Sequence, residues 1–146
     1  MIMIYDEKML AVEQKIDQLV SAIANSDICE EYQSAHKKLT DDPDALILRQ
    51  VFAEKKDRYE AVTAYGEYAP GFMEVRSAVM AAKRQLDLQP TVAEYRLRET
   101  RLQTLLDEIT KTIAHKIDEK IKVDAGNPFF ETGGQHEGCG GNCHAS

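Results

Sequence analysis

The sequence predicts an all-α fold, an elongated antiparallel bundle of about five helices with a long C-terminal helix and a flexible Cys/Gly tail. Three observations predict it. Apolar residues recur at steps of three and four through five successive segments. Capping and breaking residues fall between those segments. No stretch alternates with the two-residue period of a strand. At 146 residues, 43% apolar and 29% charged, the chain suits one folded domain, 1–125, followed by a tail, 126–146.

The first helix is expected from about Ile4 to Ile23, with Met9, Val12, Ile16, Leu19, Val20 and Ile23 on one stripe. Asn25 or Ser26 then offers a break and a cap. In SDICEEYQSAHKKL, Asp27 with Glu30 three residues on reads as a capping box. Ile28, Tyr32, Ala35 and Leu39 carry the apolar face onward until TDDPDA closes this second helix. A third runs from near Asp44 to Tyr65, with Ile47 or Leu48, Val51, Phe52, Tyr59 and Val62 facing inward.

GEYAPG is a turn signal, and Pro70 suits the first turn of a fourth helix because its missing donor does no harm there. Phe72, Val75, Val79 and Leu86 form its stripe, and DLQP ends it. The fifth helix opens at Pro90. Its pattern of Tyr95, Leu102, Leu106, Ile109, Ile113, Ile117 and Ile121 is unbroken up to Gly126, which gives ~34 residues and a rod of roughly 50 Å. A compact domain of this size has a radius of gyration of only about 15 Å. One face of the rod is therefore expected to lack partners within the chain and to support self-association or docking on another helical protein.

The formal charge of −7 argues against a surface built to cradle nucleic acid, since phosphate binding is driven by Lys and Arg displacing counterions. No segment approaches the ~20 apolar residues of a membrane span, and no export signal is evident. With three cysteines, an odd number, reduced thiols or metal ligands in the cytosol are expected in place of a disulfide framework. No nucleophile elbow, H-E-x-x-H or carboxylate dyad stands out, so an enzyme is not expected. Arg96, Arg98 and Arg101 in YRLRETR, with His36, Lys37 and Lys38, are candidates for a patch that takes phosphate or an acidic partner. The alternative is a solvated helix face with intrahelical pairs. Tyr59, Tyr65 and Tyr68 flank the turn and are expected to pack helix ends.

Five of the eight glycines lie in the last fourteen residues, together with two cysteines and two histidines. His136, Cys139, Cys143 and His144 form H-x-x-C-x-x-x-C-H on a backbone that can wrap closely round an ion. A zinc site needs all four, although Cys143 and His144 are adjacent. A four-iron cluster usually takes four thiolates, so it would need Cys29, a histidine or thiols from a second chain. An inert tail is the third reading. Cys29 falls in the first turn of the second helix, where the dipole favours a thiolate while Asp27, Glu30 and Glu31 oppose it. A small, partly buried apolar residue is the simpler reading of it, and a Cys29/His36 pair two turns apart is sterically allowed.

The runs EEYQSAHKKLTDDPDA, RYEAVTAYGEYAPGF and KRQLDLQPTVAEYRLRETRLQTLLDEI, then KVDAGNPFF before a Cys/Gly tail, give the chain an order of features that resembles the YlbF/YmcA family of bacterial regulators. The resemblance runs from about Tyr5 to the end. It implies an all-helical, oligomerising adaptor with no catalytic activity. Such an adaptor would act with YmcA-like and YaaT-like proteins on ribonuclease Y, shifting messenger RNA processing and so competence, sporulation and biofilm formation. It also implies a four-iron, four-sulfur cluster held by cysteines pooled from several subunits, with Cys139 and Cys143 as the first ligands in this chain.

Overall fold

The computed structural model describes residues 7–127. It is all-α: α1 Glu7–Ala24, α2 Asp27–Thr40, α3 Pro43–Thr63, α4 Phe72–Leu88 and α5 Pro90–Ile117, with no strand among the described residues. The chain divides after Leu102 into two compact units.

In the first unit the caps decide where helices begin. Ser26 has extended backbone and its hydroxyl accepts the Cys29 N–H at 3.3 Å, so Ser26 caps α2 and Asp27 is its first residue. In place of the Asp27/Glu30 capping box expected from the sequence, Ser26 caps the helix one residue earlier, and the Glu30 N–H that Asp27 would have served goes to the Ser26 carbonyl at 3.0 Å. Asp42 caps α3, and Pro43 follows it at the first helical position. Pro70 lies outside α4. The chain turns through Gly66 and Gly71, both at positive φ, and Gly71 in the left-handed region sets the start of α4 at Phe72.

α3 and α4 make the most extensive helix pair. Phe72, Val75, Ala82 and Leu86 are the buried face of α4, and the Tyr59 and Phe72 rings meet at a centroid distance of 5.9 Å. Ala45, Leu86 and Val92 form the buried cluster that joins α3, α4 and the start of α5, with Leu39, Leu48 and Phe52 packed against it. Of the alternatives Ile47 and Leu48, it is Leu48 that turns inward while Ile47 stands exposed. Tyr59 packs as expected. Tyr65 and Tyr68 do not, being exposed in the turn.

α1 is different in kind. Its stripe is as clean as the sequence reading has it, yet none of its residues is buried.

In the second unit α5 stops at Ile117, short of the Gly126 to which the apolar pattern extended. The chain turns at Asp118, whose side chain accepts the Lys120 N–H at 2.8 Å, and then runs without helix through residues 121–127. Ile121 keeps step with the apolar pattern but belongs to this returning segment. No helix among the described residues is long and apolar enough to cross a membrane.

Candidate functional site

Three constructions in the first unit and one in the second carry polar or exposed side chains that could meet a ligand or a partner. The first is the junction at Asp42. Its Oδ1 accepts the N–H groups of Asp44 and Ala45 at 2.9 and 3.2 Å, which is the α3 cap. Its Oδ2 accepts from the Thr91 hydroxyl at 2.5 Å and the Gln89 amide at 3.0 Å, both from the joint between α4 and α5. Those donors, Thr91 foremost and then Gln89, hold its pKa down at about 2 from the usual 3.8. One carboxylate thus caps a helix and ties two loops together 47 and 49 residues apart.

The second is the seam between α2 and α5. Arg98 and Arg101 both donate to Glu31 Oε2, at 2.6 and 3.0 Å, and Lys38 pairs with Glu94 at 3.3 Å. Arg96 lies 2.6 Å from Asp87, which Lys83 also contacts at 2.7 Å. The Lys83 ammonium foremost, and the Arg96 guanidinium with it, outweigh burial and hold the Asp87 pKa low. All three arginines of YRLRETR are therefore spent on carboxylates of other helices, and they form no open patch. The intrahelical pairing expected as the alternative is also not what they do. Partly exposed pairs of this kind contribute roughly 0–1 kcal/mol each, so they set helix register more than stability. Tyr95 donates to Glu99 at 3.0 Å, and having one proton it must accept from Tyr32 at 3.3 Å. The neighbouring Tyr32 hydroxyl, then burial and the Glu99 carboxylate that accepts the Tyr95 proton, push the Tyr95 phenol pKa up.

Cys29 is half-buried and unbridged, and its Sγ lies 3.6 Å from the Gln33 amide as a weak acceptor. His36 faces the rings of Tyr32 and Tyr95 at 6.3 and 5.7 Å, so its surroundings are aromatic. No group of three or more His, Cys, Asp or Glu suited to a metal ion occurs among the described residues. His136, Cys139, Cys143 and His144 lie outside the described residues.

The third construction is the bare stripe of α1. Val12, Ile16, Leu19 and Val20 are 52, 53, 36 and 57% exposed, on a helix 18 residues long. An isolated helix of that length is marginal in water, because most helical stability comes from covering the apolar face. The stripe was legible in the sequence. Its exposure is a finding of the fold; the last helix, where the sequence leads to an uncovered face, also leaves Ile113 and Ile117 50 and 76% exposed.

In the second unit, Asp107 and Asn127 are buried polar residues, 4 and 9% exposed. Asp107 accepts the backbone N–H groups of Gly126 and Asn127 at 3.0 and 2.9 Å and the Gln103 amide at 2.9 Å, while the Asn127 amide donates to Thr104 at 2.7 Å. Burial alone would raise the Asp107 pKa, but these three donors together outweigh it and leave it lowered. A Cβ at Gly126 would push aside the Gln103 amide that donates to Asp107. The Gly-Asn of KVDAGNPFF is thus a strap buckled onto α5. The sequence alone marked it only as a helix terminator.

A family model described as control of competence regulator ComK, YlbF/YmcA, matches residues 12–118, from the α1 stripe to just past the end of α5. The regulatory protein YlbF of Bacillus subtilis (strain 168) is 33% identical over 132 residues, 90% of this chain and 87% of that protein. The crystal structure of Bacillus subtilis RicA in complex with RicF contains a chain that is 31% identical, with a TM-score of 0.70, covering 75% of this chain and 96% of its own length. With more than half its length inside the family match and a full-length relative above 30% identity, the chain belongs to the YlbF/YmcA family.

Proposed function

We propose that this protein is a cytoplasmic, non-catalytic regulatory adaptor that works by assembling with other proteins. Its partners in this reading are YmcA-like and YaaT-like proteins, and the complex modulates ribonuclease Y-dependent processing of messenger RNA and through it competence, sporulation and biofilm formation. The observation that carries the reading is α1, a helix that the family match takes in from Val12 and that has a continuous apolar stripe and no buried residue. Direct nucleic-acid binding forms no part of it, because the arginines of YRLRETR are paired with Asp87 and Glu31. The solved relative in a two-protein complex, RicA with RicF, supports the same kind of use.

The proposal includes a four-iron, four-sulfur cluster shared with the partners. Cys139 and Cys143 are its first thiols, with His136, His144 and Cys29 as further donors and zinc as the alternative metal. Cys29 has no second thiol, and no cluster-like grouping of donors, among the described residues. Ligands from elsewhere would have to complete any set it joins. A bound cluster would make assembly sensitive to iron supply and redox state.

The test is anaerobic co-purification with the two partners. Iron and sulfide in the assembly, lost in Cys139→Ser and Cys143→Ser, support the shared cluster, whereas about one zinc per chain and no iron replaces it with a zinc site. Assembly that is unaffected when the α1 stripe is made polar sinks the adaptor mechanism. Unchanged transcript ends in a strain lacking this gene sink the RNA-processing part.

A further inference from the structure

The segment returning from α5 is held by polar groups more than by apolar ones. Between Asp118 and Gly126 only Val123 and Ala125 are half-buried, and Ile121 stays 39% exposed. The hold lies at its end, where the buried Asp107 carboxylate takes the Gly126 and Asn127 N–H groups at 3.0 and 2.9 Å and the Asn127 amide reaches Thr104 at 2.7 Å. Burying a carboxylate is unfavourable unless its lone pairs are filled, and here the two strap donors and the Gln103 amide fill them. A segment that had only to end a helix could stay in water without that penalty. The buckle fixes the place of Asn127, and so the place from which the rest of the chain departs.

Residues 128–146 follow at once, with His136, Cys139, Cys143 and His144 among them. Thr104 stands 13 residues back from Ile117 at the end of α5, roughly 20 Å along the helix. With the buckle closed, the chain to Cys139 starts beside Thr104 and is 12 residues long, a reach of at most about 40 Å. With the buckle open, it starts from Ile117 and is 22 residues long, a reach of about 75 Å. Closure thus shrinks the sphere open to this thiol by about six-fold and moves its centre to the middle of α5. Ligands pooled from several chains meet more often the smaller that volume is.

We propose that Asp107 is a positioning residue for the thiols that follow the strap: by holding Gly126 and Asn127 it roots Cys139 and Cys143 beside the middle of α5. A metal shared with a partner is then completed alongside this helix and not beyond its end, and the partner brings its own thiolates there. The inference rests on the metal-holding reading above for the use of the thiols, and on the buckle alone for their place. It is independent of the regulatory target and of the α1 stripe.

The test has two readouts on the full-length protein. The first is the distance between spin labels at Cys139 and at Glu108→Cys on the exposed side of α5, with Cys29→Ser and Cys143→Ser removing the other thiols. Asp107→Asn sets an amide N–H against a strap N–H and should lengthen the mean distance by on the order of 10 Å. Thr104→Val, which removes only the acceptor of the Asn127 side chain, should lengthen it less. Circular dichroism at unchanged helix content separates release of the strap from loss of α5. The second readout is metal in the assembly co-purified anaerobically with the two partners, with all native cysteines in place. Iron per chain, or zinc if zinc is the metal found, should fall by about 3-fold or more in Asp107→Asn when the metal is limiting. A label distance indifferent to Asp107→Asn overturns the proposal. A loaded wild-type assembly matched by an equally loaded Asp107→Asn assembly overturns the positioning role and leaves the shared metal standing. A wild-type assembly free of metal sinks the shared metal itself, and the positioning role with it.

Discussion

α1 and the Asp42 junction are built from equally plain sequence signals, and the fold treats them oppositely. At the junction, Ala45, Leu86 and Val92 are covered by Leu39, Leu48 and Phe52, and a single carboxylate holds the cap of α3 and the α4/α5 joint. In α1 an apolar stripe of the same spacing leaves no residue buried, although the helix touches α2. The difference teaches that periodicity announces a surface to be covered without naming the cover. For a regulator, the region that fails to close on itself is the informative one.

The comparison predicts where substitutions weigh on the isolated chain. Phe72→Ala, at a side chain 6% exposed and packed on Tyr59, should cost about 3–5 kcal/mol in denaturant unfolding. Asp42→Asn should lower the unfolding midpoint less than that. Because the folded pKa of Asp42, about 2, lies below the usual 3.8, its contribution is complete above about pH 4 and fades as pH falls toward 2. The variant's stability should be correspondingly flatter across that window. A wild type whose stability is level between pH 4 and 2 would break this half of the comparison.

Smaller effects should follow elsewhere. Asp107→Asn removes the carboxylate that accepts from Gly126 and Asn127, so hydrogen exchange at those two amides should speed markedly while the amides of α3 and α4 keep their protection. Exchange unchanged at Gly126 and Asn127 would show that the strap is held by something other than Asp107. Ile16→Ala should matter least, shifting the stability of a chain dilute enough to be monomeric by under about 0.5 kcal/mol. A loss of several kcal/mol there would mean that α1 is covered within its own chain after all.

Much of this was legible in the residues. The five helices and Leu48, Phe52, Phe72, Val75 and Leu86 as inward positions follow from spacing, and the order of short motifs carried the family. Asp42 could have been found, since an acid before Pro43 is a cap signal, but its second role needed Gln89 and Thr91 brought to it from far along the chain. Arg96, Arg98 and Arg101 read as a basic run because Asp87 and Glu31 are not their sequence neighbours on the same helix face. Asp107 gave no signal at all. An acid on a long helix looks like solvent until a returning strap buries it.

The sequence by itself determined where helices can form, where caps and turns interrupt them, and which residues share a stripe, because those are settled by bonds and backbone preferences within a few positions. Only the tertiary structure decided which stripes are covered, where α5 yields to the returning segment, and which charges are neutralised. Burial and ion pairing depend on what lies across from a side chain, and that partner is fixed by how the chain comes back on itself.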